Sequence, residues 1–273
     1  MHRRTTGSLA IVSLLLTGCF VPENERASVA FAGQYATRFV HRGMTLVDRG
    51  VLQPKLGIGM NTVHGDRLGV EVEANMDLRN DTGAAWFPDG HAGRFTQIEL
   101  LASWQRQFGD VAVTAGIHNY ILPNGTEFFA SAARAERGST SEVFVRATGS
   151  VLEANPYVSL HYDYDEVEGT YVRGGVAEDI PLGNVLENLS LGLDGSLGYA
   201  SKTQSLWMYG IEEAGLADLR GEIVVKWQYD KRTQVRAGVH GSLILDRAIE
   251  EWFHDLGIDD DPIWFTIGVA WTL

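Results

Sequence analysis

The chain has one cysteine, Cys19, in 273 residues, so no internal disulfide can form and cysteine pairing says nothing about redox compartment. Proline is scarce at 7 while glycine reaches 31 without a collagen period, a balance that suits a sheet with many turns and small inward positions. No run of about 18 apolar residues exists, which excludes a bundle of membrane helices. The longest apolar stretch, Leu9 to Leu16, is far too short to span a bilayer as a helix. Basic residues are few, 22 against 35 acidic ones, and the net charge of −13 argues against nucleic acid, whose phosphates need clustered Lys and Arg. A hydrophobic share of 45% excludes a disordered chain and allows one large β domain or two small ones.

At the amino end, Met1-His2-Arg3-Arg4 supplies positive charge and Leu9 to Leu16 an apolar core, together a bacterial export signal. Leu16-Thr17-Gly18-Cys19 resembles the lipobox of lipoproteins, in which the cysteine is lipidated and becomes the first residue; an ordinary signal peptide is the alternative. The expected organisation is a cleaved lipoprotein-type signal peptide over 1–18, a lipidated tether over 19–27 and a β domain over 28–273.

The stretch from Ile263 to Leu273 sets the pattern of that domain. Its odd positions are large and apolar, its even ones mostly small or polar, and a period of two means a strand. Twelve segments share this character, and an even count is what a bacterial single-chain barrel requires. The clearest runs Leu68, Val70, Val72, Ala74, Met76 and Leu78 against Gly69, Glu71, Glu73, Asn75 and Asp77. The first is read from Val29 to Met44, the second from Leu52 with Pro54 as a blemish, and the sixth carries Phe144 on its polar face. A soluble sandwich also alternates, so pattern alone leaves both folds open.

The connections discriminate between them. On one side lie Thr62 to Asp66, Phe108 to Asp110, Gly149 to Asn155, Pro181 to Asn188 and Asp230 to Thr233. On the other lie the longer Arg79 to Arg94, Leu122 to Ser141, Ala200 to Asp218 and Asp246 to Pro262, with only Thr45 to Val51 and Glu166 to Gly169 short. Outer-membrane barrels sort their loops this way, and Trp104, Trp227, Tyr229, Trp271, Tyr162, Tyr164 and Tyr199 fit girdles at the two interfaces. The expected fold is therefore all-β, a single antiparallel transmembrane β-barrel of about twelve strands in the bacterial outer membrane. Between Thr126 and Arg137 a short helix is expected, its apolar side folded towards the barrel mouth or lying on the rim.

The inward phase collects Arg38, Arg42, Lys55, Glu71, Glu73, Asp77, Glu99, His118, Arg146, His161, Asp163, Asp194, Arg220, Glu222, Lys226, Arg236 and His240. Charges of both signs in a narrow barrel must pair or meet water, as a conduit for small polar solutes or a salt-bridged plug. Expected partners are outer-membrane lipid and, through the last strand, the barrel-assembly machinery; no cofactor and no metal is expected. Ser159, His161 and Asp163 share one face, but neighbours two apart stand about 6.6–6.8 Å apart with parallel side chains, poor geometry for a triad. A barrel enzyme acting on membrane lipid and a lipid-anchored β-sandwich that binds ligands stay as alternatives. Asp163 to Gly169 could hold Ca²⁺, though a solvated acidic turn explains it as well.

Tyr35-Ala36-Thr37-Arg38-Phe39-Val40-His41-Arg42-Gly43 resembles the Y-x-x-R-G opening strand of TorF-type porins, a Gram-negative outer-membrane family of largely undefined substrate. Thr140 to Phe144, then Pro156 to Gly169 with its Tyr162-Asp163-Tyr164-Asp165 centre, is similar to that family's middle section. The resemblance spans most of the mature chain and implies a porin-type barrel; the lipobox at Cys19 departs from the family pattern.

Overall fold

A computed structural model of the chain describes residues 27–79, 92–123, 138–150, 154–183 and 186–273. The leader 1–18, Cys19, the tether to residue 26 and the helix expected between Thr126 and Arg137 lie outside the described residues. In chain order the strands are β1 (Ala27–Ala36), β2 (Phe39–His41), β3 (Met44–Val47), β4 (Val51–Asn61), β5 (Arg67–Asp77), β6 (Phe95–Phe108) and β7 (Val111–Ile121). Then come β8 (Ser139–Gly149), β9 (Asn155–Asp163), β10 (Thr170–Pro181), β11 (Leu189–Ala200), helix α1 (Lys202–Tyr209), β12 (Gly215–Gln228), β13 (Thr233–Ile244), helix α2 (Arg247–Leu256) and β14 (Ile263–Thr272).

All of the strands except β2 and β3 form one closed antiparallel barrel of twelve, each bonded to its chain neighbour, with β1 paired to β4 on one side and β14 on the other. Alternation fixes what each face carries. Ile223, Phe265 and Ile267 stand 53%, 54% and 58% exposed on the outside, while Asn75, Glu142 and Asp163 on the inside are 3% or less exposed. A continuous apolar exterior around a polar interior suits lipid and not water, so the wall spans a membrane and the sandwich alternative is set aside.

Three local features show how the sequence meets the wall. At Pro54, which has no N–H to give, the β4–β5 register is interrupted, leaving Gln53 and Pro54 outside that ladder. Phe144 does point inward, where it stacks on His161 with ring centres 5.7 Å apart. Its neighbour across the strands is Gly116, and a Cβ there would come 2.7 Å from the Phe144 ring.

The first segment departs from expectation. Strand β1 ends at Ala36, where Thr37 donates its N–H to Phe265 O (2.9 Å) and its Oγ1 accepts from Phe265 N (3.0 Å). The chain then turns inward as the β2–β3 hairpin, with Arg42 (φ 49°) and Gly43 (φ 83°) at the tip. Two central residues with positive φ make the tight turn that matches strand twist, and glycine at the second makes it cheap. Alternation continues through the hairpin, so period alone cannot separate it from a longer strand. The connection read as the short Thr45 to Val51 thus runs over 37–50.

Two helices fill loops 201–214 and 245–262. Ser201 caps α1 by accepting from Gln204 N, Asp246 caps α2 by accepting from the N–H groups of Ala248 and Ile249, and Gly210 (φ 78°) and Gly257 (φ 68°) end them.

An arginine at Val72, mid-strand and outward, should lower refolding yield far more than Glu73→Arg, since a charge at the bilayer midplane costs about 2–4 kcal/mol. The heat-modifiable band on gels measures this, and equal yields would mean the two faces of β5 are reversed.

Candidate functional site: a plugged lumen

The hairpin sits inside the barrel at the end carrying the longer loops. Met44, Leu46 and Val47 are buried together with Ile244 from β13, Met208 and Tyr209 from α1, and Ile249 and Phe253 from α2. These side chains form an apolar layer across the mouth, and the hairpin tip reaches below it into a polar socket.

Glu142 on β8 forms one half of the socket. Its carboxylate accepts from Arg42 (2.6 Å), from the Tyr120 hydroxyl (2.8 Å) and from His161 Nδ1 (2.8 Å). Next to it His118 packs on Tyr120 with ring centres 4.2 Å apart and planes tilted by 31°, and it binds Glu99 at 2.7 Å. Asp218 on β12, fully buried, forms the other half, accepting from the Tyr171 hydroxyl (2.5 Å) and from Arg173 (2.8 Å). Arg42 lies over the Tyr171 ring at 4.6 Å, and Tyr209 donates to its backbone carbonyl at 2.6 Å. The fit at the tip is close: a Cβ on Gly43 would stand 2.7 Å from that of Asp218.

His41, on the hairpin and outside the spanning strands, packs edge-on against Tyr120 at 5.6 Å. Burial, seconded by the adjacent Arg42 charge, holds its imidazole down at about 3, so it is neutral at physiological pH. Burial also opposes the charge on Arg42, but Glu142 outweighs it and keeps the guanidinium well above its ordinary value.

The expected inward residues distribute as follows. Arg42, Glu99, His118 and His161 meet in the socket, and Asp77 caps its own strand end by accepting from Arg79 N at 3.0 Å. Lys55 is bonded to Glu71 and stands 3.7 Å from Glu73. Arg146 covers the Tyr157 ring at 3.8 Å, and the Tyr157 hydroxyl donates to Asp194 at 3.0 Å. Arg220 pairs with Glu222, which lies 3.5 Å from His240, and His240 stacks on Trp264. Lys226 binds Asp179 (2.5 Å) and Arg236 binds Gln234 (2.6 Å), both towards the short-turn end. Arg38 is displaced from the wall to the rim, where it pairs with Asp48 (2.7 Å) and Asp259.

Ser159, His161 and Asp163 are not brought together. His161 turns to Glu142, Asp163 accepts from Thr140 Oγ1 (2.6 Å), and Ser159 lies between Arg146 and Arg173 in the strand register. Asp163 Oδ1 also accepts the N–H groups of Asp165 (3.0 Å) and Val167 (3.1 Å), so this carboxylate shapes its own turn where a calcium loop was considered. The acidic group Asp259, Asp260 and Asp261 at the rim has ligand atoms within 4.8 Å of one another, but Arg38 already occupies Asp259.

The sequence pattern places Glu142 and Tyr120 on inward faces without marking them as site residues, and it passes over Tyr171, Arg173 and Asp218. Arg173 was the available signal in its Gly-rich strand, since a charge in a spanning segment points inward and sets the phase. Asp218 falls in a stretch read as loop, and the paired tyrosines carry no charge to mark them.

No family model matches the chain, and no curated protein matches it. Among solved structures, an outer membrane channel from Pseudomonas putida F1 superposes with a TM-score of 0.52 at 9% identity, covering 94% of this chain and 99% of that one. The chain has the fold of an outer-membrane channel. A NanC porin (TM-score 0.49, 10% identity, 90% and 100% covered) and a KdgM porin (0.47, 11%, 89% and 98%) are also similar.

Because its folded pKa lies below the ordinary 6.5, His41 costs no stability above that value and destabilises the fold as pH drops from there towards about 3, where only the unfolded chain takes the proton. His41→Gln removes this loss. Between about pH 7 and about pH 4 the variant should therefore gain in urea midpoint relative to wild type; parallel curves would mean that His41 is solvated.

Proposed function

We propose that the chain is a bacterial outer-membrane channel for small polar solutes, shut at its loop end by the β2–β3 hairpin. The observation that carries this reading is the buried Arg42–Glu142 pair, at 2.6 Å, which ties the tip of a connecting loop to the far wall at β8. Below the socket the lining mixes Lys55, Glu71, Arg146, Asp194, Arg236 and similar groups, so the lumen suits polar solutes and offers no uniform field of one sign. Of the seventeen inward residues of the sequence reading, Lys55, Glu71, Glu73, Arg146, Asp194, Arg220, Glu222, Lys226, Arg236 and His240 act here as a solute-facing lining. Arg42 belongs instead to the plug, Glu99, His118 and His161 to its socket, Asp77 and Asp163 to strand ends and Arg38 to the rim.

The resemblance to TorF-type porins supports the same class and rests on the residues that carry it. Its opening motif, from Tyr35 to Gly43, covers the end of β1 and the inward turn of the hairpin. Lipidation at Cys19 after removal of 1–18 would add an anchor beside the barrel, and the exposed aromatic end of β14, at Trp271, suits recognition by the assembly machinery.

Planar-bilayer recording of the refolded protein tests this proposal. Wild type is expected to show small, infrequent conductance steps, and Arg42→Ser combined with Tyr209→Phe, which removes the Arg42–Glu142 pair and the bond to the Arg42 carbonyl, should give larger and longer ones. Electrical silence of both proteins, each folded by heat-modifiable migration, would rule out a pore closed by the hairpin.

A further inference from the structure

At the loop-end rim, outside the lumen, a cavity of about 570 Å³ lies where β1, β4 and β5 end. Arg38, Arg49 and Arg79 line it from three separate segments, with Asp48, Thr37 and Tyr35. Among the described lining residues three arginines face one carboxylate, Asp48, while Asp259 stands on the other side of Arg38 with Asp260 and Asp261 beside it. Every cation is arginine, whose planar fork suits paired bonds to a phosphate. Asp48 and Asp259 hold Arg38 from two sides, which pre-sets its position.

The wall of the cavity indicates where a ligand comes from. Tyr35 is 40% exposed on the outward phase, in register with the outward Leu52 and Ile267, and its ring closes against Gly50, where a Cβ would meet the hydroxyl at 2.8 Å. The cavity thus opens at the top of the apolar band, at the level where a surrounding lipid presents its headgroup. We propose that it binds the phosphate of a phosphorylated glycolipid of the outer leaflet. The assignment rests on the membrane-barrel reading but not on conduction, so the loss of either leaves the other measurable.

Native mass spectrometry of the full chain in detergent, with added bis-phosphorylated lipid A, its dephosphorylated counterpart and inorganic phosphate, tests the assignment. Wild type should retain the phosphorylated lipid about tenfold better than the dephosphorylated one. Arg49→Gln with Arg79→Gln should abolish the preference, and Arg79→Gln alone should reduce it while keeping heat-modifiable migration. Equal retention of the two lipids by wild type, or an undiminished preference in a folded Arg79→Gln protein, would overturn the site. Displacement of the lipid by inorganic phosphate at equal concentration would also overturn it, in favour of a free-anion site.

Discussion

A peptide group facing hydrocarbon has nothing to bond to, and each unsatisfied one costs several kcal/mol, so a sheet in lipid must close on itself. The pairing of β1 with both β4 and β14 meets that requirement. Once the wall is closed its pleat leaves two environments, and the side chains sort between them: apolar towards lipid, polar towards the lumen. A charged lumen with little room then imposes a second condition, that each charge find a partner. Lys55 with Glu71, Arg220 with Glu222 and Lys226 with Asp179 are local answers, formed by residues on the same or nearby strands.

The hairpin meets both conditions at once. A two-stranded hairpin alone is marginal in water. Here Met44, Leu46 and Val47 gain burial against α1 and α2, each full burial contributing on the order of 1.5–3 kcal/mol. The tip is specified differently. Arg42 would be an uncompensated buried charge anywhere but beside Glu142, and an orphaned partner of that kind costs about 3–5 kcal/mol. The pair therefore decides where the tip sits more than it adds to net stability, while the apolar layer holds the hairpin in.

Most of the wall was legible in the sequence because lipid and lumen impose opposite chemistry at every second residue, as from Leu68 to Leu78. Loop sorting was legible for the same reason, since it reflects the two sides of one membrane. The hairpin was not, because Phe39 to Val47 continues the alternation of β1 and only Arg42-Gly43 marks a turn. The socket was half legible: Arg42, His118 and His161 showed as inward charges, but that Glu142 is where three elements meet depends on the register between β7, β8 and β9, which spacing along one strand cannot supply. The helices α1 and α2 were hidden in stretches whose caps, Ser201 and Asp246, also read as ordinary turn residues.

The socket's own bonds bear on whether such a plug can leave. When Arg42 withdraws, Glu142 still accepts from Tyr120 and His161, both fixed to the wall. Asp218 likewise keeps Tyr171 and Arg173, neither of which belongs to the hairpin. Opening therefore strands no unpartnered carboxylate on the wall, and the guanidinium that loses its partner is the one that moves towards water. The larger resistance lies in the apolar layer of Met44, Leu46 and Val47 against α1 and α2, all carried on connections between strands. Closure in this barrel thus resides in its loops, and the lumen beneath can stay rigid while they rearrange.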